Sequence, residues 1–311
     1  MPSENPSTSR KYAADSARGA RPPAASFHLD GPTRRLDPRV HAYRRDIADV
    51  ALAGTLFAPH YAAPMPSMAG SSAAMMCNAA SRDAEAVSQI LPGEEFAILD
   101  LAGGWAWGFS RQDHYVGYVD SSLLVPVVAP THRVHVRDAL LFAGPSIKTP
   151  MRGSLPFGAR IAGDIQDGFL ATDTGFIHVR HVAPINERIS DPVAVAELLI
   201  GSPYLWGGRG GDGIDCSGLV QVALAACGIE APRDTDMQRE TLGAELPDEA
   251  PLRRGDLISF PGHIGLMVDE HRLIHANAYW MSVVIEPLAD VVARLAHHHD
   301  RPILSRRRLK P

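Results

Sequence analysis

The sequence predicts an α+β protein in which two small β-barrels in tandem precede a mixed helix-and-sheet domain. First, from about Gln89 the apolar residues fall in short runs, Phe96 to Leu101, Trp105 to Phe109 and Tyr115 to Val119, parted by Gly103-Gly104 and the polar turn Ser110-Arg111-Gln112-Asp113. Second, the pattern repeats: Leu91-Pro92 stands 14 positions before Trp105, Leu155-Pro156 stands 14 before Phe169, and the triplets Gly117-Tyr118-Val119 and Gly175-Phe176-Ile177 follow. Third, beyond residue 188 helical periodicity appears at Val195 to Leu199 and Leu219 to Ala226, followed by four short strand-like runs.

Length and composition set the frame. A chain of 311 residues holds two or three domains, and 45% hydrophobic with 21% charged residues is enough apolar surface to form real cores. A formal charge of −5 gives no bulk attraction to nucleic acid or to an anionic membrane, so neither is expected as a partner. Three cysteines, at 77, 216 and 227, do not make a disulfide framework and suit a reducing compartment. Residues 1–36, rich in Ser, Pro, Arg and Ala, read as a flexible leader without the apolar core of a signal peptide, and no stretch is long enough to span a bilayer. The expectation is a soluble, cytoplasmic protein.

In order along the chain, Ile47, Val50 and Leu52 with Gly54 as a stop predict a short helix opening a first barrel domain over 37–128. The proline-rich segment from Phe57 to Ser81 is expected to be loop, with an edge strand at most. A second barrel follows over 129–187. Between the turning points Gly104 and Gly117 the first barrel has a hairpin six residues longer than its counterpart, carrying Asp113, His114 and Tyr115, and loops on a rigid scaffold are where recognition residues sit. The last domain, 188–311, starts with the N-cap Asp191 and Pro192. A second helix begins at Asp215-Cys216 and stops at Gly228, and strands are expected at 257–260, 264–268, 273–276 and 283–285. A helix over 288–296 and a strand near Ile303-Leu304 close it.

Chemistry concentrates in this last domain. Asp215 is a good N-cap, which puts Cys216 in the first turn of an apolar helix, where unpaired N–H groups and the helix dipole favour a thiolate. Taken alone, such a cysteine also fits a small core hydrophobe. His263 starts one strand and His275 lies on the next. With an odd-numbered turn such as Asp269-Glu270-His271, His275 pairs opposite Gly265 and shares a face with His263; an even-numbered turn separates them. Nucleophile, base and orienting group are the logic of a cysteine peptidase.

Five ordered segments, Pro203-Tyr204-Leu205-Trp206-Gly207-Gly208, Asp215-Cys216-Ser217-Gly218-Leu219, Arg254-Gly255-Asp256-Leu257, Gly262-His263-Ile264-Gly265 and Ile274-His275-Ala276, resemble the signatures of the NlpC-type papain-like cysteine peptidases. The two upstream barrels resemble the bacterial SH3-like domains of the subgroup that hydrolyses the γ-D-glutamyl to L-diamino acid bond (diaminopimelate or lysine) of murein peptides. The resemblance implies Cys216 as nucleophile, His263 as base, His275 as the polar third member, and the Cys216 N–H with the Tyr204 hydroxyl as oxyanion donors, without metal or cofactor. It also implies a pocket for the free amine of an N-terminal L-alanine. Asp215, Ser217, Asp234 and Thr235 match its peptidase-side positions, Thr235 standing where serine is expected. Tyr115 is the candidate tyrosine of the first barrel and Glu85 the candidate acid, with Glu94 as competitor. The usual glycine before that tyrosine is His114 here, which puts the local turn in doubt.

The implied partner is a murein-derived peptide with an unblocked amine, handled in peptide recycling. The alternatives are a wall-remodelling hydrolase acting on polymeric peptidoglycan and an inert peptide-binding module. Three other features are weaker. Gly208 to Gly213 spells a dinucleotide fingerprint, with Asp234 about twenty residues on, but no buried strand precedes it. His297-His298-His299-Asp300 reads as a solvated helix end, and Arg306-Arg307-Arg308 as the border of the last strand. Cys227 reads as core.

Overall fold

The computed structural model describes residues 36–309. Its opening departs from expectation. No α-helix forms between Tyr43 and Gly54; Ile47–Asp49 is a strand paired in parallel with His60–Ala62, and only Val50–Leu52 turns, as one 3-10 turn capped by the Asp49 carboxylate. Two or three apolar residues at helical spacing do not offset the cost of helix nucleation when pairing with a neighbouring strand is available.

The first barrel is a seven-stranded sheet. Across it the strands run Ala86–Ile90, Ala74–Cys77, Val116–Asp120, Trp105–Ser110, Glu95–Ala102, Met65–Ala69 and Leu124–Val125. Met65–Ala69 and Ala74–Cys77 lie inside this order, so the segment from Phe57 to Ser81 supplies integral strands. Its signal was masked by prolines whose missing N–H the sheet tolerates, while Ser67, Ala69, Ala74 and Met76 are buried. Sheet closure is tight at Gly108, where a Cβ would lie 1.9 Å from the Ala97 carbonyl oxygen. The second barrel folds as a three-stranded and a five-stranded antiparallel group between His132 and Pro184, around Val134, Leu141, Leu155, Leu170 and Ile177.

In the last domain α1 (Pro192–Leu198) is capped by Asp191, whose carboxylate accepts from the Val193 N–H at 2.9 Å. Helix α2 (Cys216–Ala226) ends at Cys227, with Gly228 at φ +78° in the left-handed position that stops a helix. Ten of its eleven residues are buried, so it runs through the domain core. A short α3 (Thr235–Thr241), not foreseen in a stretch that reads as polar loop, has one buried residue, Gln238, whose amide donates to the Ser217 and Pro232 carbonyls. Beside these helices lies a six-stranded sheet in the order Ala244–Glu245, Ser305–Arg308, Leu257–Phe260, His263–Met267, Arg272–Asn277, Ser282–Pro287, with α4 (Leu288–Ala296) following the last of these strands in sequence. The closing strand is Ser305–Arg308 rather than Ile303-Leu304. Within it Arg308 pairs with Asp256 at 2.7 Å, and Arg306 and Arg307 donate to backbone carbonyls. His297 to His299 are exposed beyond α4. The glycine-rich segment folds as a hairpin, Arg209–Gly210 against Gly213–Ile214.

The first barrel is bonded to this domain through buried groups. Arg209 donates to the Gln89 carbonyl at 2.9 Å and to Glu94 at 3.1 Å, Arg233 to Ser88 at 3.1 Å, and Gln221 of α2 to Asp113 of the long hairpin at 2.7 Å. These bonds bring the hairpin and the Ala86–Ile90 strand to the side of α2.

Candidate active site

The start of α2 is fixed by Asp215. Its Oδ1 accepts from the Gly218 N–H (2.7 Å) and the Ser217 hydroxyl (3.2 Å), its Oδ2 from the Gly207 N–H (2.9 Å), and the Arg233 guanidinium forks onto both oxygens. Arg233, 2% exposed, also donates to the Ser217 hydroxyl at 2.8 Å. Nothing in the sequence singles out Arg233 except its place just before Asp234-Thr235. Paired in this way, Asp215 is neutralised and its acceptor sites are filled.

Cys216 follows at the first helical position, 5% exposed, where the nearby backbone N–H groups of Ile264 and Ser217 favour the thiolate. Burial, with Asp215 adding to it, nevertheless pushes the thiol up to about 12. The helix dipole and the neighbouring N–H groups are therefore outweighed by desolvation, and the thiolate expected from helix position alone is not favoured at rest. His263 is treated the same way: burial first, then His275 and Arg294, push its imidazole down to about 3. Burial therefore disfavours a separate charge on either group in the resting protein. Among the described residues no hydrogen bond joins the Cys216 sulfur to His263; the helix that starts at Cys216 packs on the strand that starts at His263.

The two histidine strands adopt the odd-numbered turn. Val268 N–H bonds to the Arg272 carbonyl at 2.8 Å around Asp269-Glu270-His271, and Leu266 pairs with Ile274. Gly265 then lies against His275, where a Cβ would come within 3.0 Å of the histidine Cβ. The rings meet at 4.9 Å between centroids, with His263 Nε2 2.7 Å from His275 Nδ1. Behind His275 stands a residue that sequence reading missed. Glu286 Oε1 lies 2.8 Å from His275 Nε2, and Asn277 Nδ2 lies 2.9 Å from the same nitrogen. The register explains Glu286: Leu273 pairs with Glu286 and His275 with Val284, so Glu286 is the diagonal neighbour of His275 on one face.

In front of Cys216 opens a cavity of about 270 Å³ whose walls include Tyr204, Trp206, Glu85, Tyr115, Asp234 and Thr235, with Ser217 and Asp215 at its floor. The Tyr204 hydroxyl is pushed up from its ordinary value by burial and then by Cys216 and Asp215, and it keeps its proton for donation. Tyr115 donates to Asp234 Oδ2 at 2.9 Å; burial and then Asp234 push its phenol up as well. His114 takes φ +59° and stacks on Phe109 at 5.3 Å, so the turn that glycine would make is made here by a histidine held on an aromatic ring. Glu85 lies at this cavity, whereas Glu94 is 4% exposed and locked onto Arg209. A further unforeseen member is Arg39, which donates to the same Asp234 oxygen at 2.8 Å and to Asp236 at 2.9 Å.

Comparison with known proteins finds family matches over two segments of the chain. The profile of the NlpC/P60 family matches residues 201–297, and that of a bacterial dipeptidyl-peptidase SH3 domain matches 76–124. The chain is 29% identical over 239 residues to the γ-D-glutamyl-L-lysine dipeptidyl-peptidase of Bacillus subtilis (strain 168), across 66% of this chain and 77% of that one. A protein of the same description from Bacillus cereus is 32% identical over 106 residues, 32% of this chain and 31% of its own length. The murein DD-endopeptidase/LD-carboxypeptidase of Escherichia coli (strain K12) is 29% identical over 153 residues, 47% of this chain and 78% of that one. An NlpC/P60 family crystal structure from Bacillus cereus ATCC 10987 shares the fold with a TM-score of 0.66 at 20% identity, covering 79% of this chain and all of that one. The chain therefore carries an NlpC/P60 domain over residues 201–297, preceded by a bacterial SH3 domain over residues 76–124.

Proposed function

We propose that the protein hydrolyses the γ-D-glutamyl to L-diamino acid bond of murein stem peptides that carry a free N-terminal L-alanine. In this reading the Cys216 thiol gives its proton to His263 as the sulfur attacks the γ-carbonyl carbon. The oxyanion is met by the Cys216 N–H, which has no intrahelical acceptor at this position, and by the Tyr204 hydroxyl. His263 then protonates the amine of the departing diamino acid, leaving an L-alanyl-D-glutamyl thioester on Cys216. Water, deprotonated by His263, hydrolyses that thioester. His275 holds the His263 ring throughout.

The observation that carries the substrate assignment is that Glu85, Tyr115 and Asp234 line the same cavity as Cys216. Since Asp215 is paired with Arg233, and Asp234 with Arg39 through one oxygen, the carboxylate charge most available to an ammonium is that of Glu85, with the other oxygen of Asp234 as a further acceptor, Thr235 and Ser217 as hydroxyl partners and Asp215 beside them. Tyr115 fixes the Asp234 carboxylate. An acylated amine would cover the Glu85 carboxylate without supplying it a counter-charge, which is how such a site rejects the wrong substrate. In polymeric wall the L-alanine nitrogen is acylated, so the same pocket would favour released peptides, which supports a role in peptide recycling. Incubation with L-Ala-γ-D-Glu-diaminopimelate and with its N-acetylated form, followed by mass spectrometry, tests this. Cleavage of the free peptide alone is expected; equal cleavage of both, or release of peptides from intact sacculi at a comparable rate, would overturn it.

A further inference from the structure

We propose that Glu286 is a positioning residue of the catalytic chain: by holding the His275 proton on Nε2, it leaves His263 protonated on Nε2 and carrying its lone pair on Nδ1. The proposal rests on Cys216 and His263 acting as nucleophile and base.

A neutral imidazole has one N–H, and three groups compete to decide where that of His275 sits. His263 Nε2 lies 2.7 Å from its Nδ1, while Glu286 Oε1 at 2.8 Å and Asn277 Nδ2 at 2.9 Å both meet its Nε2. Two proton arrangements are possible. In the first, His275 donates from Nε2 to Glu286, its bare Nδ1 accepts from His263 Nε2–H, and the lone pair of His263 is on Nδ1. In the second, every proton is reversed: His275 Nε2 accepts from Asn277, His275 Nδ1–H donates to His263, and His263 carries its proton on Nδ1. With Nε2 occupied by His275 in either arrangement, Nδ1 is the only nitrogen of His263 left to take the thiol proton, so only the first arrangement gives a base.

Asn277 favours the second arrangement. Its amide cannot turn over cheaply, because its Oδ1 accepts the Trp280 backbone N–H at 2.8 Å. Glu286 favours the first, and a carboxylate facing a bare ring nitrogen would leave two acceptors opposed. A charge-assisted hydrogen bond is roughly twice as strong as a neutral one, so the carboxylate decides. The structure also keeps Glu286 ionised and in place. Arg294 donates to Oε1 at 2.6 Å and to Oε2 at 3.2 Å, and Arg294 in turn lies over the Tyr279 ring at 4.3 Å. Burial alone would raise the Glu286 carboxyl; Arg294, His275 and the Trp280 side chain together hold it below its ordinary value.

Glu286→Gln removes the charge with little change of shape. Arg294 donates most closely to Oε1, the atom that also faces His275, so in the variant a neutral amide oxygen takes that place and the charge that outweighs Asn277 is gone. The test is nitrogen-15 NMR of the histidine rings, in the wild type and in Glu286→Gln, beside kcat and KM. We expect His263 protonated on Nε2 in the wild type and partly shifted to Nδ1 in the variant, with kcat lower by on the order of 10-fold, less than the roughly 10⁴-fold of a direct orienting residue in a serine protease, and KM little changed. A wild-type His263 protonated on Nδ1, or a variant that keeps the Nε2 proton in full, would overturn the proposal. The wild-type spectrum decides even if the variant fails to fold. A spectrum that behaves as expected in a protein that cuts neither peptide would instead count against the substrate assignment alone.

Discussion

Glu94 and Glu85 are the two carboxylates of the first barrel that sequence reading offers for the substrate amine, and replacing each by glutamine should separate stability from recognition. Glu94 is 4% exposed and Arg209 2%, and the carboxylate accepts from two guanidinium nitrogens and from the Leu91 N–H at 2.9 Å. Breaking one side of such a buried pair costs about 3–5 kcal/mol, because the remaining charge is stranded. Glutamine keeps one acceptor, so Glu94→Gln should cost about 3 kcal/mol, or about 6–12 °C in melting temperature for a protein of this size. Its preference for the free-amine peptide should not change. Glu85 is exposed, so Glu85→Gln should move stability by less than about 0.5 kcal/mol while weakening selection against the acetylated peptide by about tenfold. The sign with pH follows. Burial would raise the Glu94 carboxyl, but Arg209 holds it below the unfolded value, so its contribution is present above about pH 4.5 and is lost as pH falls through the depressed folded value. Urea unfolding at pH 7 and pH 4 should therefore show a steeper acid loss in the wild type than in Glu94→Gln. A Glu94→Gln protein of wild-type stability that has lost amine selection would refute this division of labour.

Three further outcomes are expected. Asp234→Asn should raise KM for the free-amine peptide about tenfold with kcat within about twofold, since it removes ground-state pairing with an ammonium; a fall in kcat at constant KM would contradict that, in steady-state kinetics. His263, held down to about 3 in the folded protein, is neutral where the unfolded chain binds a proton, so the stability it contributes is complete above about pH 6.5 and is lost on acidification. Between pH 6.5 and pH 4 the wild type should lose roughly 3 kcal/mol more than His263→Gln in chemical denaturation, about 1.4 kcal/mol per pH unit for one proton, and equal losses would show that the imidazole is not held neutral. Gly108→Ala should lower stability by about 2 kcal/mol or more, because the added Cβ falls 1.9 Å from the Ala97 carbonyl and the strands must part; an unchanged melting temperature would contradict the strand packing.

What was legible in the sequence followed from local chemistry. Capping residues placed α1 and α2, since Asp191 and Asp215 each satisfy backbone N–H groups at a helix start, which few residue types do well. The alternation around His263 and His275 left two registers open, and a three-residue turn selected the one in which the rings touch. The misses lie where long-range contacts outweigh local pattern. Met65–Ala69 and Ala74–Cys77 read as proline-rich loop, yet neighbouring strands pair with both sides of each. Helix α3 is polar along most of its length and is anchored through Gln238 rather than through an apolar stripe. Arg39, Arg233 and Glu286 each act on a partner distant in sequence or displaced by strand register, which spacing alone does not reveal. The thiolate expectation failed for a related reason: the dipole is set by the local helix, but the desolvation that outweighs it is set by the strands packed over Cys216.

The central claim is that Cys216 attacks the γ-carbonyl and becomes acylated. Rapid acid quenching of the enzyme during turnover of L-Ala-γ-D-Glu-diaminopimelate, followed by mass spectrometry of the protein and its fragments, measures this directly. The account predicts a mass increment of one L-alanyl-D-glutamyl group on the fragment that carries Cys216, and neither adduct nor product with Cys216→Ala. Product formation by Cys216→Ala at the wild-type rate, or an acyl group borne by another residue, would contradict it.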